Sequence, residues 1–252
     1  SYEMAGDVAA AEASFRRVLG GDLADVDRAL LHRSFGDFWQ RRGRTEPAVE
    51  QYRAAAELDP SFVGVRLELG HALGRLGRYD EAAATYRQAF RLVPRHAPAR
   101  LGEAAALILA GDFAEARRRL EEGVATLPDR PTLTHLLARL LAAAPADGVR
   151  DGARALELAE AAFSAAPTAA TAETVAMANA ELGRYDEAVD WQERAMRDGA
   201  AGAAAAAERR RAYGGRRPWR ARDPEDLLVP RIEARAAPPR AGGDAPPRVS
   251  RR

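Results

Sequence analysis

Residues 63–96 read VGVRLELGHALGRLGRYDEAAATYRQAFRLVPRH, and their landmarks are Leu69-Gly70, Leu73, Gly77, Tyr79, Ala82, Tyr86, Ala89 and Pro94. Thirty-four residues earlier, Phe35-Gly36, Trp39, Gly43, Ala48, Tyr52, Ala55 and Pro60 hold the same places, with Thr45 where Tyr79 stands. Thirty-four residues later come Ala104, Leu107, Gly111, Phe113, Ala116, Leu120, Gly123 and Pro128. Three consecutive units, 29–62, 63–96 and 97–130, therefore share one register without a gap. Self-similarity at that period marks a repeat architecture.

Each unit reads as two helices. A small residue (Gly36, Gly70, Ala104) lets the first helix approach the second, and a glycine (Gly43, Gly77, Gly111) can end the first helix in the left-handed conformation. A second small residue (Ala48, Ala82, Ala116) allows the close return of the second helix. Proline near the end of the unit stops that helix. The apolar residues between recur at helical spacing, and no unit buries both of its faces alone, so stacking is obligatory.

The pattern resembles the tetratricopeptide repeat, a helix–turn–helix of 34 residues. The resemblance implies an all-α, right-handed superhelix of antiparallel helix pairs, closed by a C-terminal capping helix and followed by an extended tail. Outside the three clean units, Tyr2, Gly6, Val8, Ala11, Phe15 and Val18 fit the second two-thirds of a further unit in 1–25. On that reading the chain begins inside a first helix and is the C-terminal part of a longer repeat protein. Unit 131–167 keeps Leu137-Ala138, Leu141, Ala155, Ala159, Ala162 and Pro167, with about five extra residues around Pro145 to Gly152. Unit 168–199 keeps Ala176, Gly183, Tyr185, Ala188 and Ala195, places Asn179 where a bulky residue is usual, and lacks the final proline. The solenoid thus spans 1–199, a polar capping helix 200–214, and an arginine- and proline-rich tail 215–252, expected to be largely disordered. Trp219 and the island Leu227-Leu228-Val229 are expected to fold back on the last helix. The segment from Pro145 and the runs Asp190–Ala195 and Tyr213–Arg220 look like the closing repeats of large bacterial tetratricopeptide proteins.

Composition agrees with this class. In 252 residues there is no cysteine, so disulfides, thiolate metal sites and cysteine nucleophiles are excluded. Every basic side chain is arginine or histidine, and alanine dominates the apolar set, which favours close helix packing. No stretch approaches the roughly 20 apolar residues of a membrane span, and no signal peptide opens the chain. The default compartment is the cytoplasm, with any targeting signal expected before Ser1. The formal charge of +1 hides an acidic body: 208–252 hold 13 Arg against 6 acids, and 1–207 hold 25 against 31. A uniformly basic nucleic-acid binder is not supported.

The sequence carries no catalytic motif, so no enzyme, no cofactor and no metal site are expected. His32, His71, His96 and His135 have no second ligand at metal spacing, and they read as surface or groove histidines. Asp80-Glu81 and Asp186-Glu187 open second helices, where carboxylates favour the positive helix end. Asp22, Asp25 and Asp27 lack the glycine and final glutamate of a calcium loop.

Function then rests on the inner groove of the superhelix, lined by the first helices. That face is expected to present Arg33, Asp37 and Gln40, then Leu67, His71 and Arg75, then the apolar Leu101, Ala105 and Ile108, then His135 and Arg139. A groove that is polar at one end and apolar in the middle suits a partner helix or extended peptide. The clamp of spaced Lys and Asn by which chaperone-binding relatives hold an acidic C-terminal peptide is not reproduced: Arg33, Ser34 and Asp37 stand at its places. The function expected is a protein-interaction scaffold or adaptor; the alternative is a targeting or oligomerisation segment of a larger enzyme or membrane protein. Nucleic acid or an anionic membrane is the weaker reading of Arg209-Arg210-Arg211, Arg216-Arg217 and Trp219-Arg220, with Trp219 stacking on a base.

Overall fold

The computed structural model describes residues 2–199 and 202–228, with side chains from Val8 onward. Among the described residues the regular elements are helices: α1 Tyr2–Leu19, α2 Asp25–Arg41, α3 Thr45–Leu58, α4 Val63–Arg75, α5 Tyr79–Leu92 and α6 Ala97–Ala110. They continue as α7 Phe113–Thr126, α8 Pro131–Ala143, α9 Gly152–Ala165, α10 Ala169–Glu181, α11 Tyr185–Arg197 and α12 Ala203–Gly214. Successive first helices start at Val63, Ala97 and Pro131, and successive second helices at Thr45, Tyr79 and Phe113, each step being 34 residues. The extra residues of unit 131–167 form a 3-10 turn, Asp147–Val149, before α9.

The turns between paired helices follow from glycine. Gly43, Gly77, Gly111 and Gly183 all have φ between +72° and +82°, the left-handed region that costs an L side chain energy. The close approach within a pair is equally explicit. A Cβ on Gly36 would lie 2.5 Å from the ring of Tyr52, and one on Gly70 would lie 2.7 Å from the ring of Tyr86.

The first helices of neighbouring units touch one another, α4 with α6, α6 with α8 and α8 with α10, whereas the second helices α3, α5 and α7 make no comparable contact. The first helices therefore line the inner, concave face and the second helices fan out on the convex side. One apolar core runs along the stack between them, from Phe35 and Trp39 through Leu73, Leu107 and Leu141 to Val175 and Tyr213.

Three expectations need correction. Helix α1 runs uninterrupted past Gly6, where a turn between two helices was expected; a lone glycine weakens a helix by about 1 kcal/mol without ending it. His135 is buried rather than exposed, because α8 packs closely on α10. The tail, expected to be largely disordered apart from a fold-back of Trp219 and the Leu227-Leu228-Val229 island, is packed onto the solenoid as far as Leu228, since Trp219, Leu227 and Leu228 carry enough apolar surface to hold it there. The rest of that tail, 229–252, lies outside the described residues.

Candidate peptide groove

The concave face between α4 and α6 opens into a cleft of about 730 Å³. Its existence is a matter of missing side chains. Gly70 and Gly102 sit on either side of the Tyr86 ring, and a Cβ on either would stand 2.7 Å from it. The ring can lie flat between two backbones, and the space above it stays empty. Leu101, Ala105, Leu109 and Leu133 complete an apolar floor.

Arg95 and Arg130 make the rim cationic. His71, Arg95, His96 and Arg130 line the cleft, and no carboxylate does. His96 caps α6: its Nδ1 accepts the Ala99 N–H at 3.2 Å. The ring of His71 stands edge-on to Tyr86 with centroids 5.6 Å apart, and its Nδ1 lies 3.9 Å from the carboxylate of Glu68. Arg95 and Arg130 are exposed. An apolar floor beneath positive charge attracts a ligand that combines aliphatic and acidic groups.

The residues expected to form one groove divide into distinct groups. His71, Leu101 and Ala105 line the cleft. Leu67 and Arg75 are half-buried on α4 outside its lining. On α2, Arg33 lies 5.7 Å over the Phe62 ring, and Asp37 accepts the Tyr52 hydroxyl at 2.8 Å. Burial and that bond push the Tyr52 phenol above its ordinary range. Gln40 is half-buried. Ile108 is 0% exposed and belongs to the core. His135 is 7% exposed, with its Nε2 2.8 Å from Thr174 Oγ1, and burial, helped by the adjacent Arg139 charge, pushes its pKa down to about 3. It stays neutral and structural at physiological pH.

Arg139 is covered for a different reason. Its Nε donates to the Leu227 carbonyl at 3.2 Å and its Nη2 to the Asp226 carbonyl at 2.9 Å. The chain after α12 turns back over the concave face, and Ala221 N–H donates to the Ala143 carbonyl at 3.0 Å. A 3-10 turn, Pro224–Leu227, then settles against α6 and α8. Asp226 accepts the backbone N–H of Arg222 at 3.0 Å and of Asp223 at 3.2 Å, which closes this turn on itself. The expected fold-back onto the last helix is seen for Trp219, which lies beneath the Arg209 guanidinium at 5.3 Å; Leu227 and Leu228 instead reach the groove. Arg209, Arg220 and Arg222 pair with Glu173, Glu181 and Glu208, each at 2.5 Å. Arg209 and Trp219 are both buried, which leaves them little surface to offer a phosphate or a base.

Two family models meet the chain here: one described as TPR repeat over residues 41–77 and one described as tetratricopeptide repeat over 73–140. The repeats are tetratricopeptide repeats. Solved tetratricopeptide structures share the fold. A crystal structure of MamA superposes with a TM-score of 0.59 at 20% identity, covering 68% of this chain and 91% of that one. MamA from residue 41 to its end, from Desulfovibrio magneticus RS-1, gives 0.59 at 23% identity over 68% and 94%. YrrB, described as a TPR protein with an unusual peptide-binding site, gives 0.56 at 17% identity over 69% and 88%. At such identities the likeness is one of fold. No curated protein sequence matches significantly. Among the described residues no helix is long and apolar enough to cross a membrane, and no three or more His, Asp or Glu side chains gather as a metal site. A tetratricopeptide solenoid suggests a protein–protein interaction scaffold.

Proposed function

We propose that this solenoid is an adaptor that binds an extended peptide of a partner protein in the cleft between α4 and α6. The peptide should carry aliphatic side chains for the floor of Leu101, Ala105 and Leu109 and carboxylates for the rim of Arg95 and Arg130. The observation that supports this reading is the cleft itself: about 730 Å³, apolar beneath and lined without a single acid. Recessed apolar surface with a few polar groups at its edge is the usual form of a binding site.

The test is selection from a random peptide library on the whole chain, repeated with Leu101→Asp. Leu101 is half-buried on the concave face, so the charge should spoil the floor without unfolding the stack. Ile108→Asp is unsuitable, because that residue is fully buried. Enrichment of acidic–aliphatic peptides that the variant no longer holds supports the proposal. Peptides that bind both proteins equally, or that show no acidic preference, refute it.

A further inference from the structure

The half of the concave face between α6 and α8 is already occupied. Positions 71, 105 and 139 are equivalent in register, and His71 and Ala105 line the open cleft. Arg139, at the same place one unit on, donates to the two carbonyls of Asp226 and Leu227, while its Nη1 faces Thr174 at 3.5 Å and Glu173 at 3.9 Å. The features holding the segment are those of a bound peptide: a side chain reading backbone carbonyls, one main-chain bond to Ala143, and two adjacent leucines, 0% and 1% exposed, seated against helices. The turn is preorganised by its own sequence, with Pro224 at its start and Asp226 capping the amides of Arg222 and Asp223.

We infer that Pro218–Leu228 is a built-in ligand: it fills a second peptide site on α6 and α8, and the partner that displaces it presents an acidic residue directly before two adjacent aliphatic residues. The acid closes the turn, the aliphatic pair fills the site, and Arg139 takes the exposed carbonyls. Because the segment is tethered, its effective concentration is on the order of millimolar, so a free peptide of the same sequence is excluded until the tether lets go. This inference rests on the reading of the concave face as a peptide surface, but on a separate part of that face.

The probe is a fluorescent peptide of residues 218–228, PWRARDPEDLL, titrated onto the whole chain and onto the whole chain carrying Leu227→Asp with Leu228→Asp. The expected result is at least tenfold tighter binding to the double variant, whose own segment no longer competes. Equal affinity for the two proteins, or no binding to a variant that keeps its helical signal, overturns the inference. Loss of folding in the variant overturns it too, since a displaceable ligand leaves the solenoid standing. Hydrogen exchange on the unaltered chain is a second measurement: Ala221 N–H should exchange at least tenfold faster than the amides in the middle of α8. Exchange at the same rate shows the segment to be part of the core and contradicts the inference. A peptide library that finds nothing for the open cleft, alongside binding of PWRARDPEDLL to the variant, sinks only the earlier proposal; the reverse pattern sinks only this one.

Discussion

The two halves of the concave face start from the same repeat and end differently. Over α4 and α6, Gly102 and Ala105 leave room above the Tyr86 ring, and a cleft results. One unit on, the equivalent positions are Leu136 and Arg139, and the surface they help build carries the chain's own Leu227-Leu228 turn. The same register position that leaves the cleft open at Ala105 holds the chain's own turn at Arg139. The helix framework is common to both halves and is set by glycine turns and small residues at the crossings.

The largest effect should come from removing the ring on which the open half rests. Tyr86→Ala is expected to cost about 3–5 kcal/mol in urea denaturation, as for other buried aromatics cut to alanine. A loss below about 1 kcal/mol would mean that the ring is not wedged between Gly70 and Gly102. Next comes pH, which acts on the closed half. His135 is neutral in the folded chain, with a pKa of about 3, while an unfolded histidine titrates near the ordinary 6.5. Between those values the unfolded chain binds the extra proton, so stability falls as pH drops from about 6.5 toward about 3, on the order of a few kcal/mol. Denaturation midpoints across that window should fall less steeply in His135→Gln, and identical slopes would contradict the assignment.

The smaller effects sharpen the contrast. Gly102→Ala pushes a methyl group against the Tyr86 ring and should cost about 1–3 kcal/mol. It should also weaken peptides selected for the cleft, while PWRARDPEDLL binding to the released variant changes less. Arg130→Ala should leave stability within about 0.5 kcal/mol, because the side chain is exposed. Its effect should appear as a several-fold loss of affinity for acidic peptides that fades at high salt.

Much of this fold is legible in the sequence, because its determinants are local and periodic. Gly43, Gly77 and Gly111 recur at the repeat spacing and all adopt positive φ, and the pairings Gly36–Tyr52 and Gly70–Tyr86 lie within one unit. The same periodicity puts His71, Leu101 and Ala105 on one face, and all three line the cleft. What periodicity does not carry is the neighbour across units. His135 meets Thr174, 39 residues away, and Arg139 meets Leu227, 88 residues away, outside any repeat. The fate of Pro218–Leu228 had a local signal, a proline-started turn with Asp226 ahead of two leucines, but nothing in the sequence named the surface that would receive it.

The most direct test of the account places a photo-crosslinking residue at Leu101, on the concave face, and separately at Arg118, exposed on the second helix α7. Each protein is irradiated with an acidic–aliphatic peptide taken from the library selection. An adduct is expected from position 101 and none from position 118. An adduct from 118 with none from 101 would place the binding surface on the convex side and contradict it.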